Sequence, residues 1–487
     1  MGESLGHNIE RAAFSAVISK AVKNVNQDRA KYMIKYMDLA EKALKGQWKP
    51  QAFERMRNVF RNPDSKWMQY TNRMFDNVDP EIIKMAALNL AYEAGFRGFR
   101  KTIEEREKFG CDIPWILLFD PTSACNLHCT GCWAAEYGHQ KALSNDDMDS
   151  IVTQAEALGI HAFLLTGGEP LMRKNDILDL CEKHSHSAFM AFTNGTLIDD
   201  AFCERAVKVA NFVPAVSLEG FQPENDGRRG QGDFDNVMKA FDIMKKHKMM
   251  FGTSICYTSK NYKTVTSDEF LDMIIDKGVM FTWYFHYMPV GNDAATDLLL
   301  NPEQREYMYH RVREIRAYEG GKQIMAVDFQ NDGEYVSGCI AGGKYYCHIN
   351  PAGDVEPCVF IHYSNANIHE KTLLECLQQP IFKEYQKAQP FNENKLMPCP
   401  MLENPECLQK IVKASGAHST DMDSPEDVEH LCSKCVNYSK EWAPVADKLW
   451  KEHHFERNKE GDAEFKKEVE EAKKAGKSTD DVANSSN

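Results

Sequence analysis

Apolar positions in the first quarter of the chain recur with the period of an amphipathic helix. Residues 8–110 show steps of three and four throughout, which predicts an all-helical region. The first stripe is Phe14, Val17, Ile18, Ala21, Val22 and Val25, and the second is Met33, Met37, Ala40 and Leu44, before Gly46. Two interpretations stay open: helices packed on a neighbouring domain, or a basic platform at a membrane surface or for an apolar substrate.

From residue 115 to about 290, strand-like apolar runs alternate with helical patterns, which predicts parallel βα units in an α/β domain. The predicted strands are 115–120, 162–166, 188–193, 212–218, 250–257 and 281–288, and the predicted helices are 144–158, 175–184, 199–209, 233–247 and 266–278. In the last strand Tyr284, His286 and Met288 share one face. We expect this face to point into the lumen of a barrel, with a buried core histidine as the alternative for His286.

Length and composition narrow the class of protein. The 487 residues suggest two or three domains, and 43% hydrophobic residues allow a large core. The chain has no apolar run of about 18 residues, so we expect no transmembrane helix. The N-terminus lacks the pattern of a signal peptide. The 15 cysteines then indicate a reducing cytoplasm and bound metal, with contact at the inner membrane surface as a further expectation.

The net charge of −14 is unevenly distributed along the chain. Residues 1–115 carry 20 Lys and Arg against 15 Asp and Glu, a net of +5, which leaves −19 for the rest. An acidic body argues against a nucleic-acid substrate. Such a basic head is more often a solvated helical surface than a binding face.

Three cysteines lie within eight residues directly after the first predicted strand. Cys125, Cys129 and Cys132 have the spacing C-x3-C-x2-C. Thiolates are soft ligands, and a cubane iron–sulfur cluster is usually held by four of them. Three from one loop leave one iron open to a small molecule. On spacing alone, a zinc knuckle or half of a ferredoxin-type site is the alternative.

This motif resembles the signature of the radical S-adenosylmethionine (SAM) superfamily. The resemblance implies a partial (β/α)6 TIM-like barrel in which the three thiols hold a catalytic [4Fe–4S] cluster and its open iron binds SAM. It also implies that an electron passed through the cluster cleaves SAM to a 5′-deoxyadenosyl radical, which takes a hydrogen atom from an unactivated C–H bond. A small redox protein of the flavodoxin or ferredoxin type is the implied electron donor.

Motifs at the ends of the following strands extend the resemblance. By likeness to the family, the SAM-binding residues are Gly167, Gly168, Glu169 and Pro170 of the GGEP motif, then Asn194, Ser217, Glu219 and Arg229. Arg229 would fork onto the SAM carboxylate, and an exposed loop arginine is the alternative. The family often has Asp in place of Glu219, and it has an aromatic residue where this chain has Gly131, with Trp133 two positions later.

A second cysteine-rich region follows the predicted barrel. Its segment from Cys339 through Gly353 to Cys358 resembles the opening of the SPASM domain, which implies at least one auxiliary [4Fe–4S] cluster. Residues 348–358 also read as a hairpin that presents the last thiol. The candidate ligands are Cys339, Cys347, Cys358, Cys399, Cys407, Cys432 and Cys435, and a structural zinc site at Cys432-x2-Cys435 is the alternative.

These patterns predict an α/β enzyme with four segments: a helical region (1–110), a radical SAM barrel (111–300), a small cysteine-rich SPASM-like domain (301–450) and a charged, largely disordered tail (451–487). The whole chain looks somewhat like bacterial membrane-spanning lipid synthases, which implies C–C bond formation on lipid acyl chains. The alternatives are a peptide-modifying SPASM maturase, although no stretch resembles a leader-peptide binder, and a non-catalytic iron–sulfur electron carrier or redox sensor.

Overall fold

The computed structural model describes residues 5–43 and 50–452. Residues 453–487, most of the predicted tail, lie outside this range, as do Leu44 and Gly46 of the second stripe. The N-terminal region is helical as predicted, with a π-helical segment, Ala87–Gly98, joining its last two α-helices. These helices are α1 Leu5–Val25, α2 Arg29–Ala43, α3 Pro50–Arg61, α4 Lys66–Asn77, α5 Pro80–Ala86 and α6 Phe99–Phe109.

The central domain is an open barrel of parallel strands, which confirms the predicted α/β fold. Its strands are β1 Ile116–Phe119, β2 Ala162–Leu165, β3 Ala188–Thr193, β4 Phe212–Ser217, β5 Gly252–Tyr257, β6 Phe281–His286 and β7 Met325–Asp328. Each strand pairs in parallel with the next. All six predicted strands are present. The structure adds a seventh, β7, whose four residues the sequence pattern did not distinguish from a loop.

Helices on the outside of the barrel connect these strands. They are α7 Asn145–Ala157, α8 Lys174–Lys183, α9 Asp200–Val209, α10 Gln222–Arg229, α11 Asp233–Lys246 and α12 Asp268–Lys277, followed by α13 Pro302–Arg316 between β6 and β7. Ser144 and Asp147 form a capping box at the start of α7, which satisfies backbone N–H groups left free there. All five predicted helices of this domain are therefore found.

The C-terminal region is built onto the open edge of the barrel. Strand β8, Tyr346–Ile349, pairs in parallel with β1, and β9, Val355–Glu356, returns antiparallel to it. The predicted hairpin before Cys358 is thus present. Further elements are β10 Tyr363–Ser364, α14 Leu373–Leu377, α15 Pro380–Ala388, α16 Pro405–Ser415, β11 His418–Ser419, α17 Val428–Ser433 and helical residues 436–452.

The face of β6 that points into the lumen is the opposite of the one predicted. Tyr284 is fully buried on the outside, where its hydroxyl donates to the Val265 carbonyl (2.8 Å) before α12. His286 is buried on the same outer side, against Tyr438. Trp283 and Phe285 instead point inward, towards Phe192. Strand alternation tells which residues share a face but not which face is inside, so the lumen prediction was wrong. For His286 the alternative, a buried core histidine, is the one found.

The N-terminal helices close the barrel at the N-terminal ends of its strands. Val22, Ile82 and Ile83 pack with Ala215 and Phe281 in one buried apolar cluster. Polar contacts fix the same arrangement: the Arg73 guanidinium donates to three backbone carbonyls near the starts of β6 and β7, those of Ile275, Val279 and Gln323. Packing on the neighbouring domain is thus the arrangement found.

Part of the first predicted stripe stays on the surface. Phe14 is 47% exposed and Val17 is 59% exposed, whereas Val22 and Val25 are buried. No helix in residues 5–43 and 50–452 is long and apolar enough to cross a membrane.

Candidate active site

The loop with Cys125, Cys129 and Cys132 begins at the C-terminal end of β1 and rests on the Gly167-Gly168 turn after β2. The N–H of Gly168 donates to the Thr122 carbonyl (3.0 Å) and that of Glu169 to the Ala124 carbonyl (2.8 Å). A Cβ on Gly168 would lie 2.3 Å from the Ala124 oxygen. The two glycines are therefore needed because two backbones meet there without space for side chains.

The three thiols of this loop are partly exposed, and two mostly buried arginines lie beside them. Nη1 of Arg229 is 3.8 Å from Sγ of Cys129, and the Thr130 N–H donates to the Arg228 carbonyl (2.9 Å). Burial raises the pKa of the Cys129 thiol, and the Arg229 guanidinium acts against that rise. The arginine thus favours the thiolate, the form that binds iron, against the effect of burial.

Glu219 forms an ion-paired cluster with the two arginines that follow it. Its Oε1 accepts from Arg228 (2.7 Å) and from Arg229 (2.5 Å), and Glu219 is fully buried. Burial acts to lower the pKa of both arginines, but the anionic groups around them raise it above its usual value. Two guanidinium groups and one carboxylate leave one positive charge at the cluster loop, which suits the carboxylate of a ligand.

Two buried atoms in this group of Glu219 and its two arginines have no hydrogen-bond partner in the part of the chain that the structure describes. They are Oε2 of Glu219 and Nε of Arg228. An acceptor and a donor left unpaired in a protein interior are costly. SAM carries hydroxyl donors and a carboxylate acceptor, so these residues and the three thiols fit the cofactors that the resemblance implies.

The carboxylate of Glu169 is engaged by the protein. It accepts from the Leu171 N–H (2.9 Å), the Thr193 hydroxyl (2.6 Å) and the Asn194 N–H (2.7 Å). Burial raises its pKa, and these hydrogen bonds act in the opposite direction. Glu169 therefore ties the end of β2 to the end of β3, and Pro170 starts the short helical turn after it.

Two further predicted contacts lie at the strand ends. The Asn194 side-chain amide donates to Asn126 in the cysteine loop (2.8 Å). Ser217 is the last residue of β4 and is partly exposed, on the inner face. The structure thus brings the predicted residues of four different strand ends around one loop.

Two residues near this loop were not predicted to be there. Cys256 is partly exposed in β5, and burial raises the pKa of its thiol to about 11, against the effect of Arg228. Tyr287, after β6, covers Gly131: a Cβ there would lie 2.7 Å from Cε2 of the ring. Alternation along β5 could have indicated Cys256, but no local signal indicates Tyr287.

Trp133 points away from Gly131, towards the C-terminal region. Its ring lies 5.9 Å from the His348 ring and 6.1 Å from the rings of Phe360 and His362. It is therefore a contact between the barrel and the second cysteine region.

A cavity of about 400 Å³ lies between the ends of β6 and β7 and the second cysteine region. Cys339, Cys358 and Cys399 line it together, with Met288 and Phe329 on the barrel side. Three thiols at one cavity fit an iron–sulfur cluster. The Tyr346 hydroxyl lies 2.6 Å from Sγ of Cys358, which fixes that side chain.

The other four predicted ligands do not line this cavity. Cys347 is buried in β8, and Cys376 is the thiol that raises its pKa further. Cys407 lies in α16, and Cys432 and Cys435 lie at the end of α17. Burial raises the pKa of Tyr385, and Cys432 raises it further, as do the three cavity thiols.

A single-ion site is not preformed at these thiols. Within residues 5–43 and 50–452, no three His, Cys, Asp or Glu side chains are close enough to hold one metal ion.

Comparisons with known proteins agree with this geometry. Residues 119–274 match the radical SAM superfamily, and residues 339–407 match the SPASM iron–sulfur cluster-binding domain. The structure is similar to that of Streptococcus suis SuiB bound to precursor peptide SuiA, with a TM-score of 0.51 and 20% identity over 61% of this chain and 72% of that one. That likeness supports the fold.

Two curated relatives have similar sequences. Fe-coproporphyrin III synthase of Methanosarcina barkeri is 24% identical over 47% of this chain and 59% of its own length. Mycofactocin maturase MftC of Mycolicibacterium smegmatis is 26% identical over 56% of this chain and 69% of its own length. The chain therefore contains a radical SAM domain, which binds a [4Fe–4S] cluster and SAM, and a SPASM domain, which binds auxiliary iron–sulfur clusters, and it is an enzyme.

Proposed function

We propose that the enzyme modifies a peptide by abstracting a hydrogen atom from an unactivated C–H bond, to form a C–C or C–S bond. The observation that carries this proposal is the cavity shared by the barrel mouth and the thiols of Cys339, Cys358 and Cys399. An apolar side chain of a peptide could lie against Met288 and Phe329 on the barrel side, beside a cluster held by the three thiols. The maturase among the relatives and the likeness to SuiB, solved with a precursor peptide, support the same substrate class.

Most of the residues predicted at the catalytic site have a role in this proposal. Cys125, Cys129 and Cys132 hold the catalytic cluster, which together with SAM supplies the 5′-deoxyadenosyl radical when bound. Arg229 binds the SAM carboxylate, and Glu219 holds Arg228 and Arg229 in place. Glu169 and Asn194 fix the loops, which leaves the backbone carbonyls of the Gly167-Gly168 turn to accept from the SAM amino group.

The lipid hypothesis has less support. It relied on the N-terminal helices as a platform for acyl chains, but these helices pack under the N-terminal ends of the strands. The cysteine loop lies at the C-terminal ends, on the opposite side of the barrel. The position of the helices therefore gives the acyl-chain hypothesis no support at the cluster loop.

The first test asks for radical SAM chemistry itself. Anaerobically reconstituted protein receives SAM and dithionite, and 5′-deoxyadenosine is measured by mass spectrometry beside a Cys125/Cys129/Cys132→Ala control. We expect the nucleoside from the wild type and none from the control. An electron carrier would bind no SAM, and that outcome would overturn the proposal.

The second test identifies the substrate class. Peptide, lipid and tetrapyrrole fractions from cells grown in deuterated medium are added separately, and deuterium in the 5′-deoxyadenosine is measured. We expect transfer from the peptide fraction. Transfer from the lipid fraction alone would restore the acyl-chain hypothesis, and transfer from tetrapyrroles alone would favour chemistry like that named for the synthase relative. Flavodoxin and ferredoxin can be compared as electron donors in the same assay.

A further inference from the structure

An unbroken chain of buried contacts joins the Cys399 loop of the auxiliary site to the loop of the catalytic cluster. The Cys399 N–H donates to Oε2 of Glu403 (2.7 Å). Oε1 of Glu403 accepts from the Arg305 guanidinium (2.6 Å), and Arg305 is fully buried. The same guanidinium nitrogen donates to the Tyr438 hydroxyl (2.9 Å). Every member of this first half is therefore fixed by an ionic or charge-assisted bond.

The second half runs from Tyr438 through His286 to Tyr287. The Tyr438 hydroxyl lies 3.0 Å from Nε2 of His286, and Nδ1 of His286 lies 2.6 Å from the Tyr287 carbonyl. The Tyr287 ring then lies against Gly131, and its hydroxyl accepts from the Ala295 N–H (3.0 Å). Gly131 has a φ of +66°, so both its backbone conformation and the ring contact exclude a side chain.

The direction of each proton in the chain follows from the donors. Arginine only donates, so the Tyr438 oxygen accepts from Arg305 and its own proton is free for Nε2 of His286. A carbonyl only accepts, so Nδ1 of His286 carries the ring proton, and Nε2 accepts from the Tyr438 hydroxyl. His286 is thus a neutral imidazole with one tautomer, held at both nitrogens. Replacing one partner would leave a buried group unpaired, so the loss of any one bond is costly.

We propose that Glu403, Arg305, Tyr438, His286 and Tyr287 form a positioning relay that makes SAM binding at the catalytic cluster depend on the state of the auxiliary site. Glu403 holds the backbone of Cys399, one of the three thiols of the cavity. Tyr287 covers Gly131, which precedes Cys132. A shift of the Cys399 loop on cluster binding changes the position of the Tyr287 ring, and with it the shape of the loop that presents Cys132.

The test uses Tyr438→Phe, which removes one hydroxyl from the middle of the relay. Iron and sulfide content, the dissociation constant for SAM and the change in the EPR spectrum of the reduced catalytic cluster on adding SAM are measured. We expect full cluster content, an altered EPR change and SAM affinity weaker by about three- to tenfold, the range of one lost buried hydrogen bond. None of these measurements needs the peptide substrate, so this inference fails or stands independently of the proposed function.

Tyr284→Phe is the matched control. It removes a buried tyrosine hydroxyl from β6 whose 2.8 Å hydrogen bond, to the Val265 carbonyl, lies outside the relay. We expect wild-type SAM affinity and EPR spectra. Equal effects of both variants would mean a general loss of stability and would overturn the relay, as would a Tyr438→Phe protein that matches the wild type.

A double-mutant cycle tests the dependence between the two sites directly. Cys358→Ala removes a cavity thiol that is not part of the relay. We expect it to weaken SAM binding in the wild type and to have no further effect in Tyr438→Phe, because coupled residues give non-additive effects. Additive effects would show that the auxiliary site does not act through Tyr438. If Tyr438→Phe does not fold, Tyr287→Leu, which removes the ring from Gly131, replaces it in the cycle.

Discussion

Arg228 and Arg229 donate to the same oxygen of Glu219, and Arg229 also contacts the thiol of Cys129 in the cluster loop. The sequence indicated Arg229 alone, because its position in the family motif matched. The structure shows that Glu219, one methylene longer than the family's usual Asp, reaches both guanidinium groups. The departure from the motif therefore positions the arginines, and does not remove the carboxylate from the site.

Arg229→Lys should weaken SAM binding by about tenfold or more while the cluster is retained. Lysine keeps the charge but cannot make two parallel hydrogen bonds, and a hydrogen bond to a charged group contributes about 1.5–3 kcal/mol. SAM affinity and iron content are the measurements. The control is Arg205→Lys. Arg205 lies on the surface of α9 and pairs with Asp179 of α8. A similar loss of SAM affinity in this control would contradict the role assigned to Arg229.

Cys129→Ala and Cys256→Ala form a second test at this scale. Both thiols are partly exposed near Arg228, but only Cys129 lies on the three-cysteine loop. We expect Cys129→Ala to lose the SAM-responsive EPR signal and the iron of one cluster, and Cys256→Ala to keep both. Loss of the signal in Cys256→Ala would show that the cluster ligands were assigned incorrectly.

Among the elements, the turn after β2 has the strictest requirement. Both of its glycines meet the backbone of the cysteine loop, and Gly167 also has a φ of +105°. The sequence motif indicated this turn as a SAM site, but the contacts show a second task, since the turn supports the loop before Cys125 through two backbone hydrogen bonds.

Gly168→Ala should therefore reduce the occupancy of the catalytic cluster and leave the auxiliary site loaded. The added methyl group would lie 2.3 Å from the Ala124 oxygen and 2.4 Å from the Ser123 oxygen, so the cysteine loop must move. Iron content and EPR spectra with and without SAM report the two sites separately. Gly227→Ala in α10, where no atom lies within 4 Å of the added group, should behave as the wild type. An unchanged catalytic cluster in Gly168→Ala would contradict this account.

At the scale of the molecule, a buried ionic bridge joins the SPASM domain to the barrel. Nε2 of His348 lies 3.0 Å from Asp120 at the end of β1, and Nδ1 lies 2.7 Å from Glu356 in β9. All three side chains are fully buried. Burial would lower the pKa of His348, but the two carboxylates raise it to about 10, so the bridge contains an imidazolium.

This bridge predicts a loss of stability in alkali. The pKa of His348 is raised in the folded protein, so its contribution is complete below the unfolded value of about 6.5 and is lost as pH rises through about 10. We expect the melting temperature of the anaerobic holoprotein to fall over this range. The melting temperature of His348→Gln should be lower at neutral pH, because the variant leaves two buried carboxylates without a counter-charge. It should also fall less as the pH rises. Parallel pH profiles of the two proteins would show that His348 does not titrate in this window.

The sequence by itself determined the type and order of most elements and the loop in which three thiols lie together. Helical and strand periods are local properties, and Cys125, Cys129 and Cys132 lie close together because they are close in the chain. The strand-end motifs were likewise readable one by one, although their meaning as SAM contacts remains a proposal.

The tertiary structure alone decided which distant residues meet. Cys339, Cys358 and Cys399 share a cavity, whereas Cys347, eight positions after Cys339, is buried elsewhere in β8. The inner face of β6 and the contact of Tyr287 with Gly131 also depend on how strands close into a barrel. Such contacts are set by packing between segments far apart in sequence, where spacing along the chain carries no information about distance.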